Sequence, residues 1–430
     1  MTDLAFGTDG IRGIYGDTLT EETAYRLGAA LGKKGSVLIG RDNRPSSPVL
    51  ARALACGVES AGGRYQAVGV LTTPALYYLL TKSDHNHAVM ITASHNPPEH
   101  NGLKVFSPAG KPGEAERRAI EEGMRLVLPP KEDFQGYPFL EDSSAISLYE
   151  DFFRRSVGRL DGLTAVIDFA GGAGYVFKGL LGSLGVRVIP LNLCENGDRI
   201  NLDSGALHPE RCASETRRLG ADVGFALDGD GDRIIASDGA GNILDGDRIA
   251  YLFACRMKKR GALLKNKLVM TVMTNSGVLK SLSKEGISVL SCRVGDTAVA
   301  EAMRSEGLNL GAEQSGHIIL GDHLMTGDAL LVGAMLLKSI REDGPLAETP
   351  PPLIYPQVLV NLSVPDRNIA YRSDIQALAA KLKDDLGEGR VLLRASGTEE
   401  LVRIMVEHPD RERAQGAAER IAETILTLSR

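Results

Sequence analysis

Apolar and polar positions follow one pattern three times along the 430-residue chain. In each copy a helical stretch is followed by a glycine turn and then by an apolar, partly β-branched run that ends in a glycine or polar loop. The three copies are Gly57–Gly63 before Tyr65–Val70, Leu180–Gly185 before Val186–Leu191, and Leu279–Gly286 before Ile287–Val294. A helix followed by a strand, repeated about every hundred residues, predicts three related α/β domains.

The pattern changes after the third copy. Prolines and glycine crowd Asp343–Pro345 and Thr349–Pro352, which predicts a linker rather than a regular element. The elements predicted beyond it are a strand Val358–Ser363, a helix from a Ser373 cap to about Leu386, strands Val391–Arg394 and Leu401–Glu407, and a terminal helix. This is a small α+β unit. We therefore predict four domains, spanning residues 1–145, 146–245, 246–348 and 349–430.

Composition and charge narrow the class of protein. The chain is 43% hydrophobic and 24% charged, with a net charge of -6 and a pI of about 5.8. No cluster of Lys and Arg interleaved with aromatics suits nucleic acid. The apolar stretch Ala329–Leu337 is far shorter than the roughly 18 residues of a membrane helix, and Met1–Leu4 has no signal character. Five scattered cysteines without a CxxC pair indicate a reducing cytoplasm.

A serine lies in the loop that follows a predicted buried strand. The strand is His87–Ile91, and the loop Thr92–Pro98 contains Ser94 among small and polar residues. Loops at strand ends are where α/β sheets bind ligands, so Ser94 is a candidate nucleophile. The alternative is an ordinary turn with a solvated hydroxyl.

Three aspartates alternate with glycines directly after the predicted strand Val223–Leu227. Asp228, Asp230 and Asp232 can converge on one point, where a divalent cation would neutralise their repulsion. An EF-hand is excluded, because Arg233 stands where that loop requires glycine and Gly239 where it requires glutamate. The remaining alternative is a solvated acidic turn. Magnesium is the expected ion, since it prefers a few carboxylates completed by phosphate oxygen.

Two further polar segments indicate ligand binding. Arg394–Thr398 can direct backbone N–H groups and two hydroxyls into one hollow, and Arg403 adds charge, which suits a phosphate. Gly311–His317 offers donors and acceptors that could bind sugar hydroxyls. Each has an ordinary alternative: the first is also an everyday turn between strands, and His317 also fits a structural histidine.

Taken together and in this order, these segments resemble the α-D-phosphohexomutase family. The opening Phe6–Gly13 matches the amino-terminal signature of the family, as do Asn101–Lys104 and Ser204–Pro209. The resemblance therefore spans the chain. It implies three related α/β domains around a central cleft, plus a C-terminal α+β domain resembling the TATA-box-binding-protein fold.

The resemblance also implies a role for each site residue. Ser94 would carry the phosphate as phosphoserine, and this phosphate would complete the shell of one Mg²⁺ per active site held by Asp228, Asp230 and Asp232. Lys104 would be the general acid or base, with a pKa lowered by surrounding cations. The other catalytic residues would be Arg12 and His95, and the substrate-binding residues Arg233, Glu313, Ser315, His317, Arg394, Ser396, Gly397, Thr398 and Arg403.

The implied reaction interconverts glucosamine 6-phosphate and glucosamine 1-phosphate through a 1,6-bisphosphate, which would also be the activator. Gln314 favours the amino sugar, because relatives that act on mannose or glucose phosphates more often have another residue there. The alternatives are those two sugars, a phosphatase, and a non-catalytic sugar-phosphate sensor. A monomer or homodimer is expected. The chain departs from the family at Thr297, usually basic, at Ala312, usually glycine, and at Glu400, usually proline.

Overall fold

The computed structural model describes residues 6–7, 10–128, 134–395 and 400–429. Within these ranges, every helix is too short or too polar for a transmembrane span. The chain forms two compact units. The first comprises the described residues up to Met273 together with Val289–Pro350, and the second comprises Thr274–Ser288 with the described residues from Pro351 onward.

The first sheet of the larger unit has five strands in the order β1-β5-β4-β2-β3. The strands are β1 (Ile11–Ile14), β2 (Ser36–Arg41), β3 (Arg64–Val70), β4 (His87–Ile91) and β5 (His100–Phe106). Strands β2, β3 and β4 are parallel, whereas β5 pairs antiparallel with β4, and the edge strand β1 pairs antiparallel with β5. Because β2 and β4 are parallel, the loops that follow Arg41 and Ile91 leave the same edge of the sheet.

Four helices accompany this sheet: α1 (Glu21–Gly32), α2 (Ser47–Ser60), α3 (Thr73–Thr81) and α4 (Glu114–Arg125). Helices α1 and α2 pack closely because small residues face each other. A Cβ atom on Gly28 would lie 2.1 Å from the carbonyl oxygen of Leu54, and one on Gly57 would lie 2.1 Å from that of Tyr25. Helix α3 is buried along its length from Thr73 to Leu80, so its first residue has a fixed position.

The second sheet also has five strands, in the order β10-β9-β8-β6-β7. Its elements are α5 (Ile146–Val157), β6 (Thr164–Asp168), α6 (Leu180–Ser183), β7 (Arg187–Leu191), α7 (Glu210–Leu219), β8 (Val223–Leu227), β9 (Ile234–Asp238), β10 (Ile243–Leu244) and α8 (Gly246–Lys259). All five residues of β8 are buried, which explains their uninterrupted apolar sequence. The aspartate segment is the turn between β8 and β9.

The third sheet has four strands in the order β12-β11-β13-β14. The elements of this part are β11 (Lys267–Thr271), β12 (Ser288–Cys292), α10 (Asp296–Glu306), β13 (Leu310–Ala312), β14 (Ile318–Leu320) and α11 (Ala329–Asp343). Between β11 and β12 in the chain lies α9 (Ser276–Lys284), which belongs to the smaller unit. Strands β13 and β14 are antiparallel and frame the segment from Glu313 to His317. The chain thus has the predicted α/β sheets, each mixing parallel and antiparallel pairs.

The smaller unit contains a three-stranded antiparallel sheet in the order β15-β17-β16. Its elements are β15 (Gln357–Ser363), α12 (Ser373–Leu386), β16 (Arg390–Ala395), β17 (Leu401–Glu407) and α13 (Arg411–Leu428). Helix α9 belongs to this unit because the carboxylate of Glu407 accepts hydrogen bonds from the backbone N–H and the hydroxyl of Ser276, at 3.1 and 2.7 Å. Buried Glu407 also pairs with Arg390 at 2.8 Å.

The predicted elements agree with the structure apart from their ends. Residue 373 is the first residue of α12 rather than its cap, because Arg372 holds the extended cap conformation. The strand predicted to run to Val294 ends at Cys292. The linker has one short 3₁₀ turn, Leu346–Glu348, and no regular element between it and β15. The four domain boundaries and the TATA-box-binding-protein likeness stay predictions.

Candidate active site

Ser94 lies in the loop that leaves β4 and is fully buried. Its hydroxyl donates a hydrogen bond to Oδ2 of Asp228 at 2.7 Å, and its N–H donates to Oγ1 of Thr92 at 2.9 Å. Ser94 has a φ of 54°, which costs a non-glycine residue about 1 kcal/mol. The solvated hydroxyl of an ordinary turn therefore does not describe Ser94. The structure instead directs this hydroxyl at the aspartate segment.

Arg44, which sequence reasoning missed, organises the Ser94 loop. Its fully buried guanidinium donates to the carbonyl oxygens of Ser94 (3.0 Å), Asn96 (2.8 Å) and His100 (2.9 Å), and also to that of Pro97. Nε is paired with Asp42 at 2.9 Å. One side chain thus satisfies four loop carbonyls, which holds Ser94 in its unfavourable backbone conformation.

Replacement of Arg44 by methionine should unfold or misplace the Ser94 loop. The four loop carbonyls would each lose one donor, those of Ser94 and Asn96 keeping only Asn201 among the donors described. Breaking the buried ion pair with Asp42 costs about 3 to 5 kcal/mol. Denaturant unfolding measures this loss of stability, and intact mass measures the phosphate that the family resemblance leads us to expect on Ser94, which should fall. The control is Arg118→Met, since Arg118 is exposed and pairs only with Glu114 among the contacts described. An Arg44→Met protein with wild-type stability would contradict the assigned role.

The aspartate segment forms a buried cluster of carboxylates. Asp228, Asp230 and Asp232 are each exposed by 5% or less, and each contributes an oxygen to a group whose members lie within 4.8 Å of one another. The N–H groups of Asp232 and Arg233 both donate to Oδ1 of Asp228 at 3.1 Å. Gly229 permits close approach, because a Cβ there would lie 2.7 Å from the Ser94 carbonyl oxygen. A solvated acidic turn is thus excluded.

The charges in this cluster fit a divalent cation. Burial, followed by the charges of Asp232 and Asp230, raises the pKa of Asp228 well above its ordinary value. Oδ1 of Asp230 and Oδ1 of Asp232 are buried and accept no hydrogen bond among the described residues. Oδ1 of Asp232 lies 3.9 Å from Nε of Arg233, which is an ion pair but too long for a hydrogen bond. A bound metal ion that prefers oxygen ligands would satisfy these two oxygens and offset the repulsion among the three carboxylates.

Lys104, on β5, is embedded in the same cluster. Its Nζ donates to Oδ2 of Asp230 at 2.6 Å and to Oδ2 of Asp232 at 2.9 Å. Burial raises the pKa values of both aspartates, but Lys104 is the main group that brings them below the ordinary value. The expectation that cations surround Lys104 was wrong in this respect: the direct partners of its ammonium group are the carboxylates of Asp230 and Asp232.

His95 and Arg233 form a second pair beside Ser94. Nη1 of Arg233 lies 3.1 Å from Nδ1 of His95. Burial, then the charges of Arg233 and Arg12, lower the pKa of His95 to about 4. The imidazole is therefore neutral at pH 7, and since a guanidinium can only donate, Nδ1 accepts the hydrogen bond and Nε2 carries the proton. Arg12, on β1, completes this group of predicted residues.

The segment from Glu313 to His317 is tied to the aspartate segment by its backbone. The N–H of Ile234 donates to the carbonyl oxygen of Gly316 at 3.0 Å. Glu313 is buried, and Oε1 accepts from the N–H of Gly295 at 2.9 Å, whereas Ser315 is exposed. His317 is buried, and its Nε2 accepts a hydrogen bond from the N–H of Gly327 at 3.0 Å. This bond fits a structural histidine, and it uses one of the two ring nitrogens.

A lysine near this segment also escaped sequence reasoning. Nζ of Lys111 lies 2.5 Å from Oδ2 of Asp296, and both side chains are largely buried. Together with Thr297 and His317 they line a cavity of about 40 Å³. Thr297 itself is in the first turn of α10, where its N–H donates to Oδ1 of Asp296 at 2.6 Å. A cation is therefore present beside the position where the family usually has one.

The predicted phosphate-binding residues belong to the smaller unit. Arg394 on β16 faces Arg403 on β17 in the strand register. Ser396, Gly397 and Thr398 lie outside the described residues. Of the other two departures from the family, Ala312 is buried in β13, and Oε2 of Glu400 accepts a hydrogen bond from the N–H of Arg367 at 3.2 Å, which a proline side chain could not do.

Comparison with known proteins gives consistent matches. The phosphoglucomutase/phosphomannomutase α/β/α domain I profile matches residues 3–126, the α/β/α domain III profile matches 245–350, and the C-terminal domain profile matches 359–424. Phosphoglucosamine mutase of Desulforamulus reducens is 40% identical over 439 residues, covering 98% of both chains. That of Carboxydothermus hydrogenoformans is also 40% identical, covering 98% of this chain and 99% of the relative.

Solved structures share the fold. A phosphoglucomutase/phosphomannomutase family protein from Burkholderia thailandensis aligns with a TM-score of 0.80 at 24% identity, covering 98% of this chain and 97% of its own. Aspergillus fumigatus N-acetylphosphoglucosamine mutase, solved in complex with GlcNAc-6P and magnesium, aligns with a TM-score of 0.69 at 19% identity, covering 99% and 96%.

Proposed function

Because the chain belongs to the phosphoglucomutase/phosphomannomutase family, we propose that it interconverts glucosamine 6-phosphate and glucosamine 1-phosphate, feeding amino-sugar nucleotide and cell-wall synthesis. The relatives that are about 40% identical over nearly the whole chain are phosphoglucosamine mutases. The observation that carries the proposal is the hydroxyl of Ser94, 2.7 Å from Asp228 in a buried carboxylate cluster. A serine hydroxyl against a metal-binding cluster suits a phosphate carrier.

Phosphoserine at position 94 is the donor in the proposed cycle. The bond between phosphorus and Oγ of Ser94 breaks as a bond forms to the free hydroxyl of the hexose phosphate, giving a hexose 1,6-bisphosphate. The bisphosphate turns over in the site and returns its other phosphoryl group to Ser94. Free bisphosphate would also restore phosphate to Ser94 and so act as the activator. Each step requires alignment and charge neutralisation more than covalent chemistry.

Asp228, Asp230 and Asp232 would hold one Mg²⁺, which when bound neutralises charge on the transferring phosphoryl group. Arg233 would neutralise charge on the same group, and Nε2 of His95 offers a hydrogen-bond donor because Nδ1 accepts from Arg233. Arg12 adds a nearby cation. These residues would stabilise a charge that is spread over three phosphoryl oxygens in the transition state.

Lys104 is the proposed general acid and base. In its ammonium form it donates a proton to the oxygen that leaves, and in its neutral form it accepts the proton of the attacking hydroxyl. Metal binding by Asp230 and Asp232 would compete with the two ion pairs that these carboxylates form with Lys104. Glu313, Ser315 and His317 are proposed to contact the sugar, and Arg394, Arg403 and residues 396–398 the phosphate that is not transferred.

Sugar preference is tested by kcat/KM for glucosamine, glucose and mannose 6-phosphates on one preparation. We expect glucosamine 6-phosphate to be preferred by at least about tenfold, the scale that one good polar contact supplies. Higher kcat/KM for mannose or glucose 6-phosphate would make the chain a phosphomannomutase or phosphoglucomutase. Free phosphate as the main product would indicate a phosphatase, and binding without turnover a sensor.

We also propose the class of ligand, the location and the oligomeric state of the protein. The ligand is a small hexose phosphate rather than nucleic acid, since the chain is acidic overall. We propose a cytoplasmic location from the number and spacing of the cysteines, and a monomer or homodimer.

A further inference from the structure

The first residue of helix α3 contacts the aspartate cluster through both its backbone and its side chain. The N–H of Thr73 donates to the carbonyl oxygen of Asp230 at 2.9 Å, and its hydroxyl donates to Oδ2 of the same residue at 2.5 Å. Thr73 is 1% exposed. These two bonds join residues that are 157 positions apart in the chain.

The two hydrogen bonds from Thr73 fix the orientation of the Asp230 carboxylate. Oδ2 receives the hydroxyl of Thr73 and the ammonium of Lys104, whereas Oδ1 accepts no hydrogen bond from the residues described. A carboxylate held by one oxygen cannot rotate without losing two short hydrogen bonds. We propose that Thr73 is a positioning residue, which orients Asp230 so that Oδ1 faces a divalent cation while Oδ2 holds Lys104.

The helix that carries Thr73 is a rigid support for this role. Every residue from Thr73 to Leu80 is buried, and the ring of Tyr78 stacks on Phe152 with 4.3 Å between centroids. Positioning residues are most effective on packed elements, because their own conformers are restricted. The packing of α3 therefore restricts the position of Thr73, and the hydroxyl of Thr73 in turn restricts the carboxylate of Asp230.

The neighbouring threonine is a natural contrast. Thr72 is also 1% exposed, but its hydroxyl has no hydrogen-bond partner among the described residues. Its methyl group instead packs on the aspartate segment, since a Cβ on Gly231 would lie 2.8 Å from Cγ2 of Thr72. Of two adjacent buried hydroxyls, only that of Thr73 contacts a carboxylate of the cluster.

Metal binding by the full chain tests this inference, which rests on the proposed metal centre. The variants are Thr73→Val, which removes the hydroxyl but keeps the shape, Thr73→Ser, which keeps the hydroxyl, and Thr72→Val as the matched control. Mn²⁺ binding is followed by electron paramagnetic resonance, with Mg²⁺ as competitor, and denaturant unfolding is measured in parallel. Thr73→Val should weaken binding by about tenfold to a hundredfold, the usual effect of losing a residue that orients a metal ligand. Thr73→Ser and Thr72→Val should bind like the wild type.

The outcomes separate this inference from the proposed function. A wild-type protein that binds Mn²⁺ and turns over, with Thr73→Val binding equally well, would overturn the role of Thr73 alone. Equal weakening in Thr72→Val would also overturn it, since the effect would then follow from packing. A wild-type protein that binds no Mn²⁺ or Mg²⁺ would overturn the metal centre and the positioning role together.

Discussion

Replacement of Ser94 by alanine should abolish both the covalent phosphate and turnover. The hydroxyl is the only part of Ser94 that contacts the carboxylate cluster among the contacts described, through its 2.7 Å bond to Asp228. Without an oxygen at this position no phosphoenzyme can form, and catalysis should fall by roughly 10⁴-fold or more, as when other enzymes lose their nucleophile. Intact mass spectrometry should detect one phosphoryl group on the wild type and none on the variant.

The matched control for this experiment is Ser60→Ala. The hydroxyl of Ser60 donates to the carbonyl oxygen of Gly57 within α2, away from the carboxylate cluster. This variant should retain phosphate and turnover. Denaturant unfolding of both variants separates loss of chemistry from loss of fold. A Ser94→Ala protein that still carries one phosphate would place the carrier on another residue.

The second large effect is expected from Asp230→Asn. The amide removes one negative charge from the proposed cation site and weakens the partnership with Lys104. Since a divalent cation prefers carboxylate oxygens, we expect the Mg²⁺ concentration for half-maximal activity to rise by about a hundredfold. A Mg²⁺ titration of the rate of glucosamine 1-phosphate formation measures this change.

Asp238→Asn is the control for the second experiment. Asp238 is a buried aspartate at the end of β9, and Oδ1 accepts from the N–H groups of Ala240 and Asn242 at 3.0 and 2.9 Å. Its replacement should lower stability and leave the Mg²⁺ requirement unchanged. If the Mg²⁺ titration of Asp230→Asn matches the wild type, Asp230 is not a ligand.

Sequence reasoning located the candidate site where its residues lie in short continuous segments. Ser94 and Asp228 each follow an apolar strand, and the strand ends His87–Ile91 and Val223–Leu227 agree with the structure. Alternating aspartates and glycines are visible without any fold. The convergence of the two segments, 134 positions apart, followed from chemical complementarity rather than from geometry.

The supporting residues could not be predicted in the same way. Arg44 reaches the Ser94 loop because β2 and β4 are parallel neighbours, with Arg41 paired to Ile91. Thr73 reaches Asp230 because the beginning of α3 lies against the turn between β8 and β9. Neither residue has a local motif, and both roles depend on strand order and helix placement, which local patterns do not determine. Only the family resemblance suggested a role for Lys104. The resemblance did not indicate that its ammonium group contacts the carboxylates of Asp230 and Asp232.

The ion pairs of Lys104 also affect how the chain folds before a metal ion binds. Three buried aspartates would repel one another strongly, and an ammonium between Asp230 and Asp232 offsets part of that repulsion from within the chain. The fold therefore carries its own counterion. We therefore expect newly synthesised protein to fold without magnesium, and we expect chelation to remove activity while the free energy of unfolding stays close to that of the untreated protein.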